Sequence, residues 1–321
     1  MESVLVTAVG SFSADIVIKN LKRMNLRVIG CDIYPKEWIV DSYQVHSFYQ
    51  APYATEKEEY IEFIKDICVN EKIKLICPLT DIEVDIFNSN REWFIKNNII
   101  ICISSFRTVE ICRNKKIIEE YIRTENVDID TIPTEYLYKI SQEPKEFPVV
   151  LKPFNGRSSQ GLKYIKDIDE WRNVIDNINK SKYVVQPYIK GEIITVDIIR
   201  RNDDEVVAIP RKELLRTLNG AGTSVYVFND LTLEKKCIML ANALEILGCV
   251  NFEFIVDEHQ NYYFIECNPR FSGGVEFSCM VGYNCVSNHV KCFLNETIDK
   301  KNSYSSQYIS RKYEEYVTCI V

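Results

Sequence analysis

Toward the C-terminal end of the chain, the run YYFIECNPRFSGG places Glu266, Asn268 and Arg270 at every second position as an apolar strand gives way to a loop. On a strand this spacing turns the polar side chains onto one face. A carboxylate on an apolar strand is costly unless it is paired or metal-bound. Upstream, VNFEFIV sets Glu253 in the middle of a second apolar strand, with Asn251 on its face and Phe252 and Phe254 on the other. Glu253, Glu266 and the amide oxygen of Asn268 form a set of hard oxygen ligands. Such a set suits Mg2+, which is typically held by one or two carboxylates plus substrate phosphates. Arg270 adds a planar fork for phosphate oxygens. A plain solvated hairpin would account for Glu266, but it does not need the N-P-R-F-S-G-G that follows.

A second candidate lies in FPVVLKPFNGRSSQGL. A strand ends in Lys152, and a loop follows with Asn155, Gly156, Arg157, Ser158, Ser159 and Gly161. Backbone N–H groups in such a loop can cradle phosphates, and Lys152 supplies a point charge. No G-K-S/T follows, so this is not a Walker A loop; a surface hairpin is the plainer reading. A third candidate is weaker. A strand, Gly10 and a helix, with Asp32 at the end of the next strand, imitate a dinucleotide fold, but the sequence G-S-F-S-A-D lacks G-x-G-x-x-G. This predicts either a simple strand-to-helix turn or a substrate crevice at the strand ends, shared with Thr80, Asp81 and Glu83.

These residues need elements to position them. Over residues 1–106 short apolar runs (3–8, 26–31, 74–77, 99–103) alternate with helical patterns (14–24, 56–69, 82–97), which predicts a parallel sheet in a Rossmann-like layer. Residues 107–190 read as a small subdomain, with a helix over 108–124, a strand over 147–152, the glycine-bearing loop, a helix over 167–179 and a strand over 183–186. From 191 to 321, ITVDIIR, EVVAIP, SVYVF, VNFEFIV and YYFIEC predict an antiparallel sheet interrupted by a helix over 233–247. The expected fold class is thus mixed α/β and α+β, in three parts.

With 321 residues and 46% hydrophobic content, the chain can bury a sizeable core. Its net charge of −7 gives no basic surplus for a nucleic-acid partner. No run of ~18 apolar residues predicts a transmembrane helix, and the N-terminus does not read as a secretory signal. The twelve cysteines are scattered and form no C-x-x-C pair, and the three histidines are far apart in sequence. Buried free thiols in a reducing cytoplasm fit this better than disulfides or zinc.

Taken in order, these motifs resemble the ATP-grasp superfamily, and most closely its members like the carbamoyl phosphate synthase large chain. NKKIIEEYI resembles the helix that carries a nucleotide-contacting lysine, here Lys115. FPVVLKPFNGRSSQGL resembles the strand and phosphate loop, with Lys152 on the nucleotide. VVQPYIKGEIITVDII resembles the hinge around adenine, with Gln186, Pro187, Tyr188 and Ile189. NFEF with FIECNPRFSGG resembles the metal and phosphate strand pair, giving Glu253, Glu266 and Asn268 as metal ligands and Arg270 on phosphate. PRKELLRTLNGAGTS resembles a stretch that approaches substrate, which implies Arg211 and Arg216 as carboxylate contacts. PLTDIEVD is similar to a common stretch of the N-terminal domain. The chain departs from the pattern at four points, one of them Cys267 in place of an aliphatic residue. Ile193 stands where the hinge usually has a ribose-binding glutamate, leaving Glu192 to serve; Asn114 replaces an aspartate before Lys115; and Glu253 replaces a more frequent glutamine.

The resemblance implies an ATP- and Mg2+-dependent enzyme (Mn2+ can stand in) that forms carbon–nitrogen bonds. It would activate a small-molecule carboxylate as an acyl-phosphate for attack by an amine, with ADP and phosphate as products. It also implies a homodimer in the cytoplasm. The alternatives are a carboxyphosphate- or carbamoyl-phosphate-type enzyme using bicarbonate and a non-catalytic ATP-binding regulatory protein.

Overall fold

The computed structural model describes residues 2–157, 160–218 and 220–321. The N-terminal layer has strands β1 (Ser3–Val6), β2 (Arg27–Asp32), β3 (Ser47–Gln50), β4 (Ile73–Cys77) and β5 (Ile100–Ile101). All are parallel, in the order β3-β2-β1-β4-β5. Helices α1 (Ala14–Arg23), α2 (Lys57–Asn70), α3 (Asp81–Ser89) and α4 (Arg91–Lys96) connect them. β1 is buried at every residue, as its unbroken apolar run requires when both faces are covered. The single helix expected over 82–97 is two, broken at Asn90. Thr80 and Glu83 form a capping box at the start of α3, which fixes Asp81 at the carboxyl end of β4.

The expected helix over 108–124 is also two, α5 (Phe106–Arg113) and α6 (Lys115–Thr124). Asn114 separates them in an extended conformation, and its side chain accepts the N–H groups of Lys116 and Ile117 as a cap. The cap places Lys115 at the first position of α6. After β6 (Asp130–Thr131) comes a small antiparallel sheet in the order β7-β10-β8-β9, from β7 (Glu135–Tyr136), β8 (Val149–Pro153), β9 (Lys163–Ile165) and β10 (Tyr183–Pro187), with α7 (Ile168–Ile175) upon it.

The largest sheet comprises β11 (Glu192–Asn202), β12 (Glu205–Arg216), β13 (Gly222–Val227), β14 (Gly248–Val256), β15 (Tyr262–Asn268) and β16 (Gln307–Ser310), with β6 added at its edge. α8 (Leu231–Ala243) covers one face, while α9 (Val275–Met280) and α10 (Cys285–Phe293) follow β15. α5, α6 and β6, read from sequence with the small subdomain, pack against this sheet: Cys112, Ile118, Ile122 and Ile129 share a core with Val196, Phe252 and Phe264. Another core is continuous from the N-terminal sheet into α9 and α10, joining Val4, Val17 and Leu21 to Phe277, Val286 and Val290.

Candidate active site

The antiparallel register aligns the polar residues of the large sheet in two adjacent rows. Arg211, Thr195, Glu253 and Glu266 are successive cross-strand partners on β12, β11, β14 and β15, and Asp197, Asn251 and Asn268 form the next row. Phe252 and Phe254 point the other way into the core, fully buried. The alternation read from VNFEFIV is therefore present. A bulge at Ile265 shifts the pairing from Glu253↔Glu266 to Phe254↔Phe264. Bulges of this kind re-aim side chains beside functional sites.

Glu253 and Glu266 thus stand directly opposite one another, an arrangement that destabilises a sheet when both are charged. Burial and the facing Glu266 push the Glu253 carboxyl above its usual value. Glu266 is held below its own: burial opposes this, but Lys115, with its Nζ at 2.9 Å, and Lys152 outweigh it. The Asn268 amide donates to Asn251 Oδ1 at 3.1 Å and to Glu266 Oε1 at 3.4 Å. Its NH2 thus faces Glu266, and a flip of the amide would turn its oxygen to the carboxylates. Two opposed carboxylates with such an amide beside them fit a hard divalent cation.

On one side of this pair lies a cleft of about 330 Å³. Lys152 on β8, Gly156 and Arg157 of the loop, and Lys115 line it near the carboxylates; Pro187, Tyr188 and Ile189 line it beyond. Lys115 Nζ donates to the Gly156 carbonyl at 3.0 Å, so one ammonium joins the loop to Glu266. Burial, and the nearby Lys115 charge, pull Lys152 down to about 8. The far part is an apolar slot between Val150, Ile255 and Ile265 on one hand and Leu162 on the other, with Tyr164 edge-on to Tyr188 at 4.9 Å. Gln186 is buried and donates to Thr134 Oγ1 at 2.6 Å, bracing the hinge strand. Gly161 has φ +74°, and a Cβ there would sit 2.9 Å from the Tyr183 hydroxyl, so the loop returns to β9 only through glycine.

Two expectations for this cleft need correction or setting aside. Glu192 is not brought into it: its carboxylate pairs with Lys212 at 2.6 Å, while its neighbour Ile193 faces the cleft, because successive strand residues point to opposite faces. Ser158 and Ser159 lie outside the described residues.

On the other side of Glu253 and Glu266 is a polar pocket of about 300 Å³, with Ser11, Asp81, Arg270 and Gly274 on its walls. Arg157, Arg216, Glu253 and Glu266 line both spaces, so the carboxylate pair is their common wall. Arg216 reaches Glu253 at 3.3 Å. Arg270 donates to Asp81 Oδ2 at 2.7 Å, across the boundary with the N-terminal layer. Burial would raise the Asp81 carboxyl, but Arg270 and Arg113 hold it below its ordinary value. Arg211 also lines this pocket, but its guanidinium is spent internally, on Asp197 at 2.6 Å, Glu213 at 3.1 Å and Ser272 at 3.0 Å. The bidentate carboxylate contact expected of Arg211 is therefore already filled by the protein, and the residue serves to position the wall.

Sequence reasoning missed Arg113 and Asp85. Arg113 pairs with Asp85 at 2.7 Å, and Arg157 of the loop reaches the same aspartate at 3.2 Å. It also missed a cluster: Cys77, Cys102 and His289, all buried, bring ligand atoms within 4.8 Å of one another. His289 Nδ1 accepts the Cys249 N–H at 2.8 Å, which puts the ring proton on Nε2. A metal at Nε2 needs that position bare, so the donor set does not suit one.

Parts of the sequence, and the fold, are similar to those of known proteins. Residues 179–315 match the family described as ATP-grasp in the biosynthetic pathway with Ter operon, and residues 4–102 match the PylC-like N-terminal domain. The carbamoyl phosphate synthase large chain of Agathobacter rectalis is 30% identical over 165 residues, covering 47% of this chain and 15% of that protein. Its counterpart from Clostridium acetobutylicum is 27% identical over 195 residues, covering 55% and 18%. The chain thus spans less than a fifth of these curated relatives. A biotin carboxylase from Campylobacter jejuni superposes with a TM-score of 0.77 at 18% identity, over 93% of this chain and 72% of that one. An N5-carboxyaminoimidazole synthetase from Staphylococcus aureus, complexed with ADP, gives 0.73 at 14% identity, over 95% and 79%. An L-amino acid ligase from Bacillus licheniformis gives 0.71 at 15%, over 92% and 74%. The opposed carboxylates between two clefts and the lysine-bearing glycine loop thus lie in a chain that matches a PylC-like N-terminal domain over residues 4–102 and, after it, an ATP-grasp family over residues 179–315.

Proposed function

We propose that the protein is an ATP- and Mg2+-dependent ligase that activates a carboxylate as an acyl-phosphate and passes the acyl group to an amine. The observation that carries this reading is the shared wall. A group transferred across Glu253 and Glu266 passes from an apolar slot lined by phosphate-binding lysines into a pocket where Arg270 can receive an anion.

Adenine lies in the slot against Pro187, Tyr188 and Ile189, and Lys115, Lys152 and the loop around Gly156 hold the phosphates. Glu253, Glu266 and Asn268 would hold Mg2+, which would offset the charge of the phosphates. Arg270 draws the substrate carboxylate toward the γ-phosphorus. A carboxylate oxygen bonds to that phosphorus as the bond to the ADP oxygen breaks, and Lys152 and Arg216 stabilise the charge on the group in flight. The amine then attacks the acyl carbon, inorganic phosphate leaves, and the amine gives up a proton. The protein's part is positioning and charge compensation.

A reducing cytoplasm suits the chain, whose cysteines are all free thiols and mostly buried. Among the described residues no helix is long and apolar enough to cross a membrane. The reading is tested by ADP release from Mg-ATP over pooled carboxylates and amines, with bicarbonate and ammonia among them. Release that needs one acid and one amine supports it. Release stimulated by bicarbonate alone would favour a carboxyphosphate-forming enzyme. Nucleotide binding with no release from any pool would favour a regulatory role.

A further inference from the structure

A third cavity, of about 300 Å³, opens in the N-terminal layer at the carboxyl ends of β1, β2 and β4. This size falls at the lower end of small-molecule sites, which run from ~300 to 1,000 Å³. The sequence suggests a nucleotide crevice here, with Gly10 and Asp32 in the places a dinucleotide would use. The hydrogen bonds argue otherwise. Asp32 Oδ2 accepts the Gly10 N–H at 2.9 Å and Oδ1 the Tyr34 N–H at 3.1 Å. Glu83, the other acid in the cavity, accepts the Thr80 N–H at 3.1 Å, the Thr80 hydroxyl at 2.7 Å and the Tyr60 hydroxyl at 2.8 Å. All four carboxylate oxygens are engaged by the protein. What remains for a ligand is hydrocarbon and aromatic wall, from Ile33, Ala51, Ala54, Ile82 and the ring of Tyr53.

This space shares a wall with the site described above. Thr80 and Ile82 line both it and the polar pocket that holds Arg270. A molecule occupying the two together would be polar and anionic at one end and apolar at the other. We propose that the cavity is a specificity subsite for the tail of the carboxylate substrate, an acid whose carboxylate meets Arg270 and whose aliphatic or aromatic chain runs past Thr80 and Ile82 into the N-terminal domain. The identity of the polar end as the reacting carboxylate rests on the ligase reading; the apolar tail site rests on the cavity.

The test is calorimetric titration of the full chain, saturated with Mg-ADP, by butyrate and by octanoate. Each buried methylene contributes about fourfold in affinity, so octanoate should bind at least about tenfold more tightly and, if its added length is fully buried, on the order of a hundredfold. Ala54→Trp fills the cavity and Ile33→Asp charges its wall. Each should bring the ratio close to one while leaving Mg-ADP affinity unchanged, and both positions are only half-buried, so folding should survive. Equal affinities in the unaltered chain, binding of neither acid, or a ratio that survives both substitutions would overturn the proposal. A chain that prefers octanoate yet releases no ADP with any acid and amine would keep the subsite and lose the ligase reading. ADP release with short polar acids and no such preference would do the reverse.

Discussion

The two spaces that meet at Glu253 and Glu266 are built on opposite plans. The cleft proposed for the nucleotide is incomplete in its charges: Lys152 is buried at its end with a lowered pKa and, among the described residues, in no salt bridge of its own. On the acceptor side the charges are already matched, Arg270 by Asp81 and Arg211 by Asp197 and Glu213. One side depends on its ligand to complete it, while the other is held in shape before any ligand arrives. Preorganised charge of the second kind costs no rearrangement during reaction.

The comparison can be broken most severely at the common wall. Glu266→Ala should lower the rate of ADP release by roughly a thousandfold or more, since it removes both the proposed metal ligand and the partner of Lys115; steady-state kinetics beside a nucleotide-binding measurement would show whether chemistry or binding is lost. On the acceptor side alone, Arg211→Met leaves Asp197 and Glu213 buried without their cation and should cost about 3 kcal/mol of stability or more, read by denaturant unfolding. A smaller effect is expected of Asp81→Asn. It removes the anionic partner of Arg270 and should reduce kcat/KM for the acceptor about tenfold to a hundredfold while nucleotide affinity stays within about twofold. Equal losses on both sides would show that Asp81 serves the whole interface.

The smallest and most diagnostic effect is one of pH on the nucleotide side. Free Lys152 gives up its proton above about 8, whereas bound phosphates keep it charged. Nucleotide affinity should therefore fall as pH rises through about 8, and binding above that value should take up a proton, seen as a dependence of the binding heat on buffer ionisation. Lys152→Gln should abolish the uptake. The unfolded chain keeps this proton to the ordinary lysine range, so burying Lys152 costs stability below about 8, and that cost fades as pH rises toward the range.

How much of this was legible depended on whether the information was local. The period-two pattern put Glu253 and Glu266 on a face away from the core because one strand face must be apolar where it meets the core, as Phe252 and Phe254 do. The direct opposition of the two glutamates was not legible, because it depends on the bulge at Ile265, which no alternation within a single strand reveals. Helical periodicity crossed Asn90 and Asn114 without registering the breaks, since the apolar positions continue on both sides; only the Asn114 cap conformation separates Lys115 from the preceding helix. Asp85 and Arg113 read as ordinary charged helix positions and become partners of the loop only through packing between domains. Cys77 and Cys102 meet across neighbouring strands of the N-terminal sheet, and only His289 joins them through the packing between domains.

Because Arg157, Arg216, Glu253 and Glu266 border both spaces, the ligands proposed for them should be coupled in energy. Whatever factor Mg-nucleotide applies to the affinity of the acceptor substrate, the acceptor must apply to the nucleotide. Glu253 and Glu266 repel an incoming carboxylate until a cation covers them, so the coupling should be positive and should favour an order of arrival with the nucleotide first. The shared wall thereby writes a thermodynamic cycle into the fold, and its size can be measured from either corner.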